Sequence, residues 1–107
     1  MATIVLVNFD QEHGSRLGAV LRSRGHRVVT AAGSKVSSVV IEKHRINLMI
    51  VDLPQTPSDP WSELRKFCSL CREDGLPVPV LCHSRTYRGA AFELKIEKLG
   101  ARLVYGR

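Results

Sequence analysis

Asn47-Leu48-Met49-Ile50-Val51-Asp52 is a short apolar run that closes on a carboxylate. A run of this length, bounded by polar residues, reads as a buried strand. In an open parallel sheet, ligands and chemistry sit outside the carboxyl ends of the strands. An aspartate at that place is expected to be exposed, with the strand behind it locked in the core. Its meaning depends on what the neighbouring strand ends carry.

Outward from this run, strand-like and helix-like segments alternate. Thr3 to Asn8 is apolar, β-branched and short, a buried strand. A helix is expected from about Gln11 to Arg24, with Leu17, Val20 and Leu21 on one face and Gly25 as its stop. Arg27 to Ala31 reads as a second strand. Gly33-Ser34 opens a second helix, with Ser34 as cap and Val36, Val39 and Val40 facing inward. Its β-branched residues make that helix intrinsically weak. After Asp52 comes a proline-rich loop, Leu53 to Pro60, in which Asp59-Pro60 is a good helix start. Leu64, Phe67, Cys68 and Cys71 then share one helical face, and Gly75 and Pro77 end the helix. Val78 to Ser84 is a fourth strand, Tyr87 to Leu99 a fourth helix stopped by Gly100, and Ala101 to Tyr105 a fifth strand.

Alternating β and α elements predict a parallel sheet with helices on both faces and right-handed crossovers. Five strands of this size fit a flavodoxin-like, doubly wound α/β fold of order 2-1-3-4-5. Strands 1, 3 and 4 are then adjacent. Their ends bring together Asn8, Phe9 and Asp10 from the first, Asp52 from the third and Ser84 from the fourth.

The chain has 107 residues, the length of a single domain spanning 1–107. Its 44% hydrophobic and 24% charged content is that of a soluble globular protein. No apolar run approaches a membrane span, and no signal peptide is evident. Three cysteines, an odd number with nothing pointing to secretion, read as reduced thiols of a cytoplasmic protein. The net charge of +6 is scattered. Its densest group, Arg16, Arg22, Arg24 and Arg27, has no aromatic residue among it to stack a base, so nucleic acid is not the expected partner.

These pieces together resemble the receiver domain of two-component response regulators, over the whole chain. Ile4-Val5-Leu6-Val7 matches the family's first strand, and Asn47 to Leu53 its third strand with the phosphoacceptor aspartate at Asp52. Asp59-Pro60-Trp61-Ser62-Glu63-Leu64 resembles the start of its third helix. Pro79 to Ser84 matches the fourth strand ending in Ser or Thr, and Gly100-Ala101 the Gly-Ala before the fifth. The resemblance implies a regulatory module of a phosphorelay, not an enzyme. Its implied partners are a histidine kinase, an output domain or another regulatory protein.

The departures point to a degenerate, pseudo-receiver version. In the family, two acidic residues after the first strand hold Mg²⁺ together with the phosphoacceptor; here those places read Asn8 and Phe9. Asp10 and Asp52 remain as candidate metal ligands of an incomplete site. Mg²⁺ demands near-octahedral oxygen ligation; Phe9 supplies no oxygen and Asn8 a neutral one. Weak Mg²⁺ binding or none is the expectation. Ser84 and Arg107 fall where the family contacts the phosphoryl group, Arg107 in place of a lysine. Thr56 stands where the family usually has proline. The family's switch aromatic falls on Val104, with Tyr105 beside it on the other face. No fifth helix follows the fifth strand. Either the chain is part of a longer protein, or something else covers that sheet face, and a homodimer is one expected cover. The alternative function is a working phosphoacceptor, phosphorylated on Asp52 by a histidine kinase.

Other candidates have blander readings. Cys68-x-x-Cys71 has metal spacing but lacks a second pair, and His83 beside Cys82 is the only further ligand in view. Two small buried hydrophobes are expected instead. His83 and Ser84 alternate along a strand, so only one of them can look toward Asp52. His13, His26 and His44 read as surface residues, and Trp61 as a packing residue at a helix start.

Overall fold

The computed structural model describes residues 2–8, 11–32, 45–53, 61–72, 78–84 and 87–105. The expected second helix, the proline-rich loop after Leu53 with Thr56, the Asp59-Pro60 helix start, Gly75, Pro77, His44, Phe9, Asp10 and Arg107 lie outside these residues. So do the side chains of Asn8 and His13.

Five strands form one parallel sheet: β1 (Thr3–Asn8), β2 (Arg27–Ala32), β3 (Leu48–Asp52), β4 (Val80–Ser84) and β5 (Arg102–Tyr105). The order is β2-β1-β3-β4-β5, as the sequence predicts. The described helices are α1 (Gln11–Ser23), α2 (Trp61–Arg72) and α3 (Ala90–Lys98). The central strands are nearly continuous hydrophobic runs because they are buried on both sides, as parallel strands are.

Alternation along the strands splits the core in two. One face of the sheet carries Val5, Val7, Met49, Val51, Val80 and Cys82 against Leu64, Phe67, Cys68 and Cys71 of α2 and Ile96 of α3. The other carries Ile4, Leu6, Val28 and Ile50, with Leu17 and Leu21 of α1 packed on them. Over β4 and β5 this second face is thinner: Leu81 is half-buried and Val104 is 39% exposed.

Helix α3 begins three residues later than the sequence suggests. Gly89 takes φ 95° and ψ 159°, a conformation that interrupts a right-handed helix and that only glycine adopts cheaply. Tyr87 and Arg88 therefore precede the helix, and their side chains are spent elsewhere. Gly100, with φ 89°, ends α3 as expected. His26 also departs from expectation. It is half-buried, and its Nδ1 accepts a hydrogen bond from the Ala2 N–H at 3.2 Å, which ties the start of β1 to the turn before β2.

Candidate functional site

Strand register decides what surrounds Asp52. Asn8 of β1, Asp52 of β3, His83 of β4 and Val104 of β5 are direct partners across the sheet. One row of residues thus crosses four adjacent strands at their carboxyl ends. Side chains of register partners share a face, and Asp52, His83 and Val104 lie on the face of Ile4, Leu6 and Ile50.

Asp52 is not the exposed carboxylate expected from its place at a strand end. Only 1% of its side chain reaches solvent. One of its neighbours is His83. The His83 Nδ1 lies 3.1 Å from Asp52 Oδ1, and the imidazole lies beside the carboxylate while keeping 15% of its own surface accessible. The backbone reinforces the pairing: Leu53 N–H donates to the His83 carbonyl at 2.9 Å, clamping the end of β3 to β4. Where the carboxylate is ionised it offers only acceptors, and Nδ1 then carries the shared proton.

Ser84, the other residue of the alternating pair, projects to the opposite face with Val80 and Cys82. It is fully buried, and its hydroxyl accepts a hydrogen bond from Arg88 Nε at 3.0 Å. The Arg88 guanidinium also lies 5.2 Å from the Phe92 ring centroid. Phe92 meets Trp61 at 5.1 Å, and Lys95 Nζ sits 4.1 Å from the Trp61 ring centroid. Trp61 is thus the packing residue expected at the start of α2, joining α2 to α3. Tyr105 projects away from the face of Val104, as expected, and meets the exposed ring of Tyr87 at 5.7 Å.

Cys68 and Cys71 are buried hydrophobes, as the sequence suggests, and Cys82 is buried with them; none of the three forms a disulfide. The Cys71 thiol donates toward Met49 Sδ at 3.9 Å. Burial pushes the Cys71 thiol up to about 11 and Cys82 up to about 12, with proximity to Cys68 a smaller contribution in the same direction. Among the described residues, no group of three or more His, Cys, Asp or Glu is placed to hold a metal ion.

The sequence brings Asp52 to the right strand end but does not choose His83 over Ser84 as its neighbour. In the assembled sheet, the bond from Leu53 N–H to the His83 carbonyl goes with His83 standing opposite Asp52. Register between distant strands is a tertiary quantity, however, and no local pattern in β4 sets it.

No protein-family model and no curated protein matches this chain. Solved structures do. The chain is similar to the chemotaxis protein CheY4 of Vibrio cholerae, with a TM-score of 0.75 and 16% identity over 99% of this chain and 85% of that one. It is similar to the N-terminal domain of a response regulator receiver protein from Methanoculleus marisnigri, at a TM-score of 0.73 and 17% identity, covering 100% and 85% of the two chains. The BeF3-activated N-terminal receiver domain of RstA from Klebsiella pneumoniae aligns at 0.71 and 21% identity, covering 96% and 82%. These likenesses establish a shared CheY-like, flavodoxin-like fold.

Proposed function

We propose that the chain is a receiver-like regulatory domain of two-component signalling, degenerate at its metal site, which acts through protein–protein contacts and not by catalysis. The observation that carries this reading is the closed Asp52. A phosphoacceptor carboxylate must admit a phosphodonor, and Mg²⁺ must meet its oxygen to neutralise the gathering negative charge. Here the carboxylate is 1% exposed and engaged by His83 at 3.1 Å. Asn8 and Phe9 stand where the resemblance calls for two acidic ligands. These residues fit Mg²⁺ poorly, and Asp10 alone does not restore the set. The fold likeness supports the regulatory class, with a histidine kinase, an output domain or a regulatory protein as partner. Among the described residues, no helix is long and apolar enough to cross a membrane.

A second reading keeps Asp52 as a working phosphoacceptor. It is favoured by the position of Asp52 at the carboxyl end of β3, in register with Asn8. Treatment with acetyl phosphate, with and without Mg²⁺, separates the two. The degenerate reading expects no Mg²⁺-dependent, alkali-labile adduct. An adduct of that kind, lost on Asp52→Asn, would establish the second reading instead.

A further inference from the structure

We propose that the amino-end rim of the sheet, opposite the Asp52 end, is a docking surface for an extended acidic segment of a partner protein. Charge that is scattered along the sequence gathers in the fold. Each described helix runs from the carboxyl ends of the strands back to their amino ends, so helix ends and strand starts share one rim. Arg24 follows α1, Arg27 opens β2, Arg45 precedes β3, Lys98 closes α3 and Arg102 opens β5. All five are exposed. Among the described residues none of the five is held in an ion pair, and Glu97 is the acidic residue at this end.

Helix ends account for only part of this charge. A cation beside a helix's last turn offsets the partial negative charge there, which covers Arg24 and Lys98. Arg27, Arg45 and Arg102 belong to no described helix. Arg45 also takes φ 48°, a conformation that glycine or asparagine adopts more cheaply. Its side chain is exposed, so burial does not account for an arginine at that place.

The backbone at this rim is a fixed frame. Thr3 N–H donates to Asn47 Oδ1 at 2.9 Å, and Asn47 N–H to the Thr3 carbonyl at 2.8 Å. Arg27 N–H donates to the Ala2 carbonyl at 2.9 Å, and Ala2 N–H to His26 Nδ1 at 3.2 Å. The starts of β2, β1 and β3 are thus tied together next to Arg27 and Arg45. An incoming segment does not have to order the backbone that meets it.

The outer strands β2 and β5 stand four strand spacings apart, about 19 Å. An extended segment of about six residues spans that width. Arg27 shares the face of Val29 and Arg102 that of Leu81, on opposite sides of the sheet, so the two guanidinium groups bracket the rim. A guanidinium fork meets a carboxylate through two parallel hydrogen bonds. Nucleic acid fits less well. Among the described residues, no helix presents its amino end to a phosphate here, and no aromatic ring stands at the rim to stack a base. The proposal rests on the protein-contact reading and names the chemistry of the partner.

The test titrates the folded chain at low salt with an oligoglutamate peptide of about twelve residues, followed by ¹H–¹⁵N NMR. Saturable shifts are expected at Arg24, Arg27, Arg45, Lys98 and Arg102, fading as salt is raised. The pair Arg27→Gln, Arg102→Gln should lose roughly tenfold in affinity, the yield of two exposed ion pairs. The pair Arg65→Gln, Lys66→Gln removes the same charge from exposed positions of α2 and should change affinity less than about twofold. Arg45→Gly accepts φ 48° freely and stays folded, yet should bind roughly threefold more weakly. Equal losses for the two charge-matched pairs, shifts centred on Asp52 and His83, or no saturable binding overturns the proposal. So does tighter binding of a random-sequence DNA duplex or of phosphatidylserine vesicles at the same salt. The protein-contact reading survives each of these outcomes, because it stands or falls on the acetyl phosphate experiment at the other end of the sheet.

Discussion

The two faces of the sheet are built from the same five strands yet carry different burdens. On the α2–α3 face, Met49, Val51 and Cys82 meet Leu64, Phe67 and Ile96 in a closed apolar layer with every one of these side chains out of water. On the α1 face, the buried hydrophobic set among the described residues is Ile4, Leu6, Val28 and Ile50, and the carboxyl-end row of that same face holds the Asp52–His83 pair. The dense face supplies stability. The α1 face carries the polar pair among its described residues. Substitutions on the two faces should therefore differ in size and in kind.

The largest effect belongs to the dense face. Phe67 is fully buried, and Phe67→Ala removes a large side chain from a layer that cannot collapse easily. A loss of about 3–5 kcal/mol is expected in urea unfolding. Leu17→Ala, at a half-buried position of the sparse face, is expected to lose only about 1 kcal/mol, in proportion to the area it covers. Equal losses at the two sites would erase the contrast between the faces.

Next comes the pair itself. His83→Ala takes a donor from a carboxylate that stays buried, at a cost of about 1–3 kcal/mol. His83→Gln keeps a donor near that place and should recover part of the loss. A stability unchanged by His83→Ala would mean that Asp52 does not depend on the imidazole, and the row would lose its meaning.

The smallest effect at neutral pH comes from the buried thiols. The Cys71 and Cys82 thiols rise from 9.0 to about 11 and about 12 in the folded chain. The folded state thus holds these protons more tightly than the unfolded state. Their contribution is fully present below about pH 9 and is lost as the pH climbs through the folded values. Unfolding free energies should be flat across neutral pH on this account and fall in alkali, more steeply than in a Cys71→Ala, Cys82→Ala double variant. Rapid alkylation of the native chain by iodoacetamide at neutral pH would show these thiols to be accessible, against the closed layer.

How much of this was legible in the sequence follows from the range of each interaction. The strands announce themselves through local composition: Thr3 to Asn8 matches β1 end for end, and the observed 2-1-3-4-5 order is the flavodoxin-like order that five alternating strands of this size fit. Helix α1 ends within one residue of expectation because Gly25 follows it. Helix α3 starts late because the helical pattern from Tyr87 onward does not reveal that Gly89 adopts positive φ. Asp52 was legible as a strand-end carboxylate but not as a buried one. Its contact with His83, thirty-one positions away, depends on a register that only the assembled sheet defines. The same holds for Ser84, whose hydroxyl is taken by Arg88 once Gly89 holds that arginine outside the helix.

The central claim is that the Asp52 carboxylate is held by His83 and does not serve as a Mg²⁺ ligand. The most direct test follows the His83 ring nitrogens by ¹H–¹⁵N NMR while Mg²⁺ is added. The account predicts a protonated Nδ1 whose shift shows no saturable change below millimolar Mg²⁺. Saturation at micromolar Mg²⁺, with the Nδ1 resonance moving as the carboxylate turns to the metal, would contradict it.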